Sequence, residues 1–158
     1  MRALLFAVVA MIVGGADAET MFRADASHAG VYRDAGPREF HRVKWTFPTG
    51  DRIVSSPVHR DGALYFGSDD GNVYAVSAAE GRQLWKRATG GPVPATPAIA
   101  GDTLYVGSYD GKFYALDEKT GTQRWKTDYD LFWVITSPAV ADGRVYIKGA
   151  VESVLPLC

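Results

Sequence analysis

The side chains able to do chemistry are few, and their spacing limits what they can do. Hydroxyls stand beside prolines in three places, Ser55-Ser56-Pro57, Thr96-Pro97 and Ser137-Pro138. A hydroxyl nucleophile needs a histidine base and an acid to orient it. The histidines, His28, His41 and His59, fall on a loop, a strand start and a strand, and none is placed with those hydroxyls. They also lack the spacing of a metal site, so surface histidine is the simpler reading. Carboxylates precede glycine at Asp70-Gly71 and Asp110-Gly111. They are conceivable cation ligands, but hairpin chemistry accounts for them without a metal. One cysteine, Cys158, is present, which excludes an intrachain disulfide and a thiolate cluster.

What positions these groups is a repeat. Leu64-Tyr65-Phe66-Gly67-Ser68 returns as Leu104-Tyr105-Val106-Gly107-Ser108, and Gly71, Gly81 and Trp85 return as Gly111, Gly121 and Trp125, each offset by 40. Thr96-Pro97 answers Ser56-Pro57 at 40, and Ser137-Pro138 follows at 41. Each copy reads as strand, turn, strand, turn, strand: Ala63–Gly67, a turn at Asp69–Asn72, Val73–Val76, a turn at Glu80-Gly81, then Gln83–Arg87. An earlier strand, Val54–His59, carries Pro57 where no ladder donor is needed. Arg42–Phe47 alternates apolar and polar, and Trp45 precedes Trp85 by 40, so it reads as the last strand of a preceding repeat. Four short strands per period of about 40 residues is a propeller blade. The expected fold is therefore all-β, with four-stranded antiparallel blades over residues 42–147, the third incomplete. After Ile147 the pattern stops, and residues 148–158 read as an irregular tail.

Upstream of the repeat the sequence changes character. Arg2, the apolar run Ala3–Val13 and Ala16-Asp17-Ala18 form a secretory signal peptide over residues 1–18, too short for a membrane span. Residues 19–41 are an extended lead-in. A periplasmic or secreted location follows, with no lipid-bearing cysteine after the signal and no membrane span in the mature chain. Net charge is −1, so no basic field points to nucleic acid.

The repeats resemble pyrroloquinoline-quinone-type β-propeller repeats, also seen in the propeller lipoprotein of the bacterial outer-membrane barrel-assembly machinery. Ala115, Asp117, Gly121 and Trp125 match the tryptophan-docking pattern Ala-x-Asp-x-x-x-Gly-Lys-x-x-Trp, with Thr122 in place of Lys. The first copy keeps Ala75, Gly81 and Trp85 but has Ser77 for the Asp and Arg82 for the Lys. Phe22-Arg23-x-Asp25-x-x-His28-x-Gly30-Val31-Tyr32 is similar to the lead-in of such proteins. The resemblance implies that Trp45, Trp85 and Trp125 lie between blades and that Asp117 holds the turn beside the docked Trp. It also implies closure with seven or eight blades, whereas 158 − 18 = 140 residues make about three and a half periods.

The expected function is that of an exported, non-catalytic binding or assembly scaffold. It is expected to meet a protein partner or to self-associate through open blade edges, and to be oligomeric, unstable or completed by another chain. A truncated or frameshifted product is one reading of the lost pattern. The candidate contact loop is Asp128, Tyr129, Asp130, Phe132 and Trp133, the most aromatic loop and the place where the period slips to 41. No cofactor is expected. The alternative is part of a quinone-dependent dehydrogenase, and only there do pyrroloquinoline quinone and calcium enter. Such enzymes use adjacent cysteines, which a single Cys158 cannot supply.

Overall fold

A computed structural model describes residues 42–128, 136–141, 143–148 and 152–156. Strands β1 (Val58–Arg60), β2 (Ala63–Gly67), β3 (Asn72–Ser77) and β4 (Gln83–Ala88) form one antiparallel sheet in sequence order. Strands β5 (Ala98–Ala100), β6 (Thr103–Gly107), β7 (Lys112–Asp117) and β8 (Gln123–Asp128) repeat it. These are the two complete blades.

The sequence accounts for both the strand ends and the turns. Val54–Ser56 does not join β1, because Pro57 has no N–H to donate. In place of a ladder, the Ser55 hydroxyl donates to Gly67 O at 2.8 Å and accepts from Gly67 N–H at 2.9 Å. The β3–β4 register shifts between Ala75 and Val76, leaving Leu84 out, and the same bulge in β7–β8 leaves Arg124 out. A bulge re-aims the neighbouring side chain, here Trp85 and Trp125.

Every residue of β2 and of β6 is buried, so each sheet is covered on both faces. Val58, Tyr65, Val73 and Ala75 of the first blade share a core with Val93, Ile99, Leu104 and Leu116 of the second. On the other face of the first blade, Leu64, Phe66 and Tyr74 pack with Phe47, Trp45 and Ile53. Tyr105, Phe113 and Ala115 of the second pack with Val145 and Ile147 beyond it. The core lies between sheets rather than inside one.

Besides the expected strand Val54–His59, of which only the end from Val58 pairs, two expectations need correction. Arg42–Phe47 forms no strand among the described residues, and only Pro48 makes an isolated bridge. Docking its indole on the next blade requires no ladder. The tail is not irregular throughout: β9 (Ala139–Ala141), β10 (Arg144–Lys148) and β11 (Glu152–Pro156) form a third antiparallel sheet, ordered β11-β10-β9. Its hairpin joins Lys148 to Glu152, where the first blade joins Gly67 to Val73, so the connection is two residues shorter. A strand thus pairs with β10 without the Asp-Gly signal.

Candidate functional site

The groups singled out by sequence gather at the seams between blades. Trp85 leaves β4 and lies on the second blade's outer turn, where its Nε1–H donates to Glu118 O at 2.8 Å. Gly121 sits beneath the ring at φ +69°, and a Cβ there would stand 2.6 Å from Trp85 Cε3. Glycine is required twice over, for backbone conformation and for closeness. Trp45 repeats the arrangement one blade earlier. Its Nε1–H donates to Ala78 O at 3.0 Å, and a Cβ on Gly81, at φ +70°, would stand 2.5 Å from the ring. Trp125 is the third of the series. Its ring meets Tyr105 and Phe113 of its own blade, and it is 36% exposed where Trp85 is 8% exposed.

Asp117 organises the turn under Trp85, not one beside Trp125. Its Oδ1 accepts from the N–H groups of Lys119 and Thr120 and from Thr120 Oγ1, and its Oδ2 accepts from Arg124 at 2.8 Å. Arg124 first, then Thr120, holds this carboxyl at about 2, below the ordinary carboxylate range. In the first blade Ser77 Oγ takes the place of the carboxylate, accepting only from Glu80 N–H at 3.2 Å. Ala75 and Ala115 are fully buried, pairing with Trp85 and Trp125 across the ladder.

The hydroxyls beside the prolines link the segments that lead into the innermost strands. Ser56 N–H donates to Thr96 Oγ1 at 2.9 Å, and Thr96 N–H donates to Ser137 Oγ at 3.1 Å. Two bonds thus join three successive repeats, a linkage the recurrence of hydroxyl before proline signals without showing the bond. The Asp-Gly carboxylates also join segments. Asp70 accepts from Gly50 N–H at 2.9 Å, Asn72 N–H at 3.0 Å and Tyr74 Oη at 2.7 Å. Burial pushes its carboxyl up, but the bonds from Tyr74 and Asn72 prevail and hold it below its usual range. Asp110 binds Gly90 N–H, Lys112 N–H and Tyr114 Oη in the same pattern.

Sequence reasoning missed Glu118. Its carboxylate is buried in the Trp85 seam, accepts from Tyr65 Oη at 2.9 Å and stands 3.9 Å from Arg60 Nε. Burial, then the bond to Glu118, pushes the Tyr65 phenol up. The equivalent residue one period earlier is Ala78, so a change of chemistry is visible in the alignment of copies, but its burial is not.

Of the candidate loop, Asp128 is exposed and paired with Lys112, while Tyr129, Asp130, Phe132 and Trp133 lie outside the described residues. His59 is exposed on β1, and His28 and His41 also lie outside. Among the described residues no three His, Cys, Asp or Glu side chains converge as metal ligands, and no helix is long and apolar enough to cross a membrane.

Known proteins share this architecture. Residues 38–96 and 69–157 match the family model described as outer membrane protein assembly factor BamB. The structure of BamB from Moraxella catarrhalis superposes with a TM-score of 0.65 at 19% identity, over 72% of this chain and 36% of that one. Quinohemoprotein alcohol dehydrogenase ADHIIG from Pseudomonas putida HK5 gives 0.59 at 26% identity, over 65% and 19%. The computationally designed Ika4 protein gives 0.57 at 20% identity, over 65% and 64%. The chain thus spans about a third of that BamB structure and about a fifth of that dehydrogenase. Comparison with curated proteins finds no match.

Proposed function

Because this chain belongs to the outer membrane protein assembly factor BamB family of pyrroloquinoline-quinone-like propeller repeats, we propose that it is an exported, non-catalytic scaffold of the bacterial cell envelope. One observation carries this reading: the polar groups best able to do chemistry are occupied in joining blades. Thr96 and Ser137 hydroxyls accept backbone N–H groups of the preceding blade, and Asp70 and Asp110 accept those of Gly50 and Gly90. The envelope location rests on the family's role and on the signal peptide read over residues 1–18. Contact with a protein partner is assigned to the loop from Asp128 to Trp133, whose aromatic anchors on a rigid scaffold suit binding.

Cross-linking of the full chain in envelope preparations tests this. The expected result is a specific protein adduct that Phe132→Ala and Trp133→Ala weaken; unchanged adducts in both variants would remove the loop from the reading. The likeness to the Pseudomonas putida enzyme favours a second reading, part of a quinone-dependent dehydrogenase. The described residues do not fit that cofactor with calcium, since no ligand group converges and the Thr96 and Ser137 hydroxyls are already engaged. Dye reduction on adding pyrroloquinoline quinone and calcium would overturn the scaffold reading in favour of the enzyme.

A further inference from the structure

Net charge of −1 conceals a separation of charge on the blades. Segment 42–47 and the outermost strands β4 and β8 carry Arg42, Lys44, Lys86, Arg87, Arg124 and Lys126 against a single carboxylate, Asp128. Asp128 pairs with Lys112, and Arg124 is held between Asp102 and Asp117. Among the described residues the other five cations form no ion pair. Lys86 and Lys126 instead stand over the rings of Tyr74 and Tyr114, at 5.3 and 6.0 Å, one period apart. Among the described residues, three of the five exposed large apolar side chains, Val43, Leu84 and Trp125, lie in the same segment and strands.

Unpaired cations interleaved with exposed aliphatic and indole groups suit the boundary layer of an anionic bilayer. Long basic stems reach phosphate while apolar neighbours enter the headgroup region. Three of these exposed cations, Lys44, Lys86 and Lys126, are lysines, flexible point charges rather than fixed forks, which favours a diffuse planar anion over a shaped peptide. We propose that the outer rim of these blades docks on anionic lipid headgroups through Arg42, Lys44, Lys86 and Lys126, with Val43 and Leu84 entering the headgroup layer. The inference rests on the envelope-scaffold reading, which supplies a bilayer within reach, and adds a lipid contact to it.

Sedimentation of the purified full chain with phosphatidylcholine vesicles, with and without phosphatidylglycerol, tests the rim. Binding is expected only with phosphatidylglycerol and falls as salt rises. Each cation removed lowers the partition coefficient about fivefold, so Arg42→Gln/Lys44→Gln/Lys86→Gln/Lys126→Gln together lower it about 600-fold. Lys119→Gln/Arg144→Gln, which removes cations elsewhere that form no ion pair among the described residues, changes it less than about twofold. If the fourfold variant does not melt cooperatively, Lys44→Gln and Lys86→Gln singly, each about fivefold, give the same reading. Equal binding to neutral vesicles, equal loss in the control variant, or polyglutamate bound more tightly than the vesicles would overturn the proposal. The last result would assign the rim to an acidic protein. Envelope cross-linking with the Phe132 and Trp133 variants is read separately, so lost vesicle binding with retained adducts rejects the rim alone.

Discussion

Trp85 and Trp125 occupy the same place in successive repeats, yet one is buried and the other is open. Within their own blades they are alike: Trp85 stands 5.9 Å from the Tyr65 ring and Trp125 stands 6.0 Å from the Tyr105 ring. The difference lies across the seam, where Trp85 meets Gly121 and the Glu118 carbonyl. For Trp125 no equivalent contact across a seam lies among the described residues. The fuller match to the docking pattern, Ala115 to Trp125, therefore ends in the exposed ring, while the copy with Ser77 and Arg82 ends in the buried one. The pattern is two half-sites written in sequence: Ala115–Gly121 receives the Trp of the preceding repeat, and Trp125 is offered to the next.

Removing the rings is the harshest way to break that comparison. Trp85→Ala is expected to cost about 3–5 kcal/mol in denaturant melts, the range for a buried indole, and Trp125→Ala about 1 kcal/mol. Equal losses would mean that the blade's own contacts, not the seam, hold these rings. Gly121→Ala comes next. Its Cβ would meet Trp85 at 2.6 Å on a left-handed backbone, an expected loss of about 3 kcal/mol. Gly101→Ala has the same backbone hand at φ +57° with nothing within 4 Å, so it isolates the conformational part at about 1 kcal/mol. If the two glycines cost the same, the seam is loose. Tyr65→Phe leaves the buried Glu118 carboxylate without its nearest donor and is expected to cost about 1–2 kcal/mol by the same melts.

How much of this was legible follows from where each signal is written. Strand and turn identities are local, so Ala63–Gly67 and the Asp-Gly hairpins could be read residue by residue. Pairing across a seam joins residues about a period apart, and the tryptophan pattern hides the direction of that pairing. Nothing in Ala115 to Trp125 says that Asp117 serves Trp85. The Ser56–Thr96–Ser137 relay was legible as a recurrence but not as a bond, because the donor is a backbone N–H with no side-chain signature. Strand β11 was missed because its hairpin, two residues shorter, lacks the turn residues that usually announce one. The basic rim was hidden by a net charge near zero, which sums over faces that folding separates.

The smallest expected effect concerns the turn that receives each ring. Beneath Trp85 it is held by Asp117, whose carboxyl is lowered from 3.8 to about 2, chiefly by Arg124. Beneath Trp45 the same position is Ser77, which does not titrate in that range. A carboxyl lowered in the folded state contributes stability that is complete above its unfolded value and is lost as pH falls through the folded one. The contribution of Asp117 is therefore present above about pH 4 and disappears towards pH 2. The Asp117 side chain keeps 28% of its surface open to solvent, so salt should weaken the effect. Other carboxylates titrate in the same window, which makes the difference between two chains the informative quantity. Asp117→Ser gives the second turn the acceptor of the first, and its stability should fall less steeply than that of the parent between pH 4 and pH 2. Parallel slopes in paired denaturant melts would show that the two turns hold their rings equally well, and that the carboxylate adds nothing to the seam that a hydroxyl cannot supply.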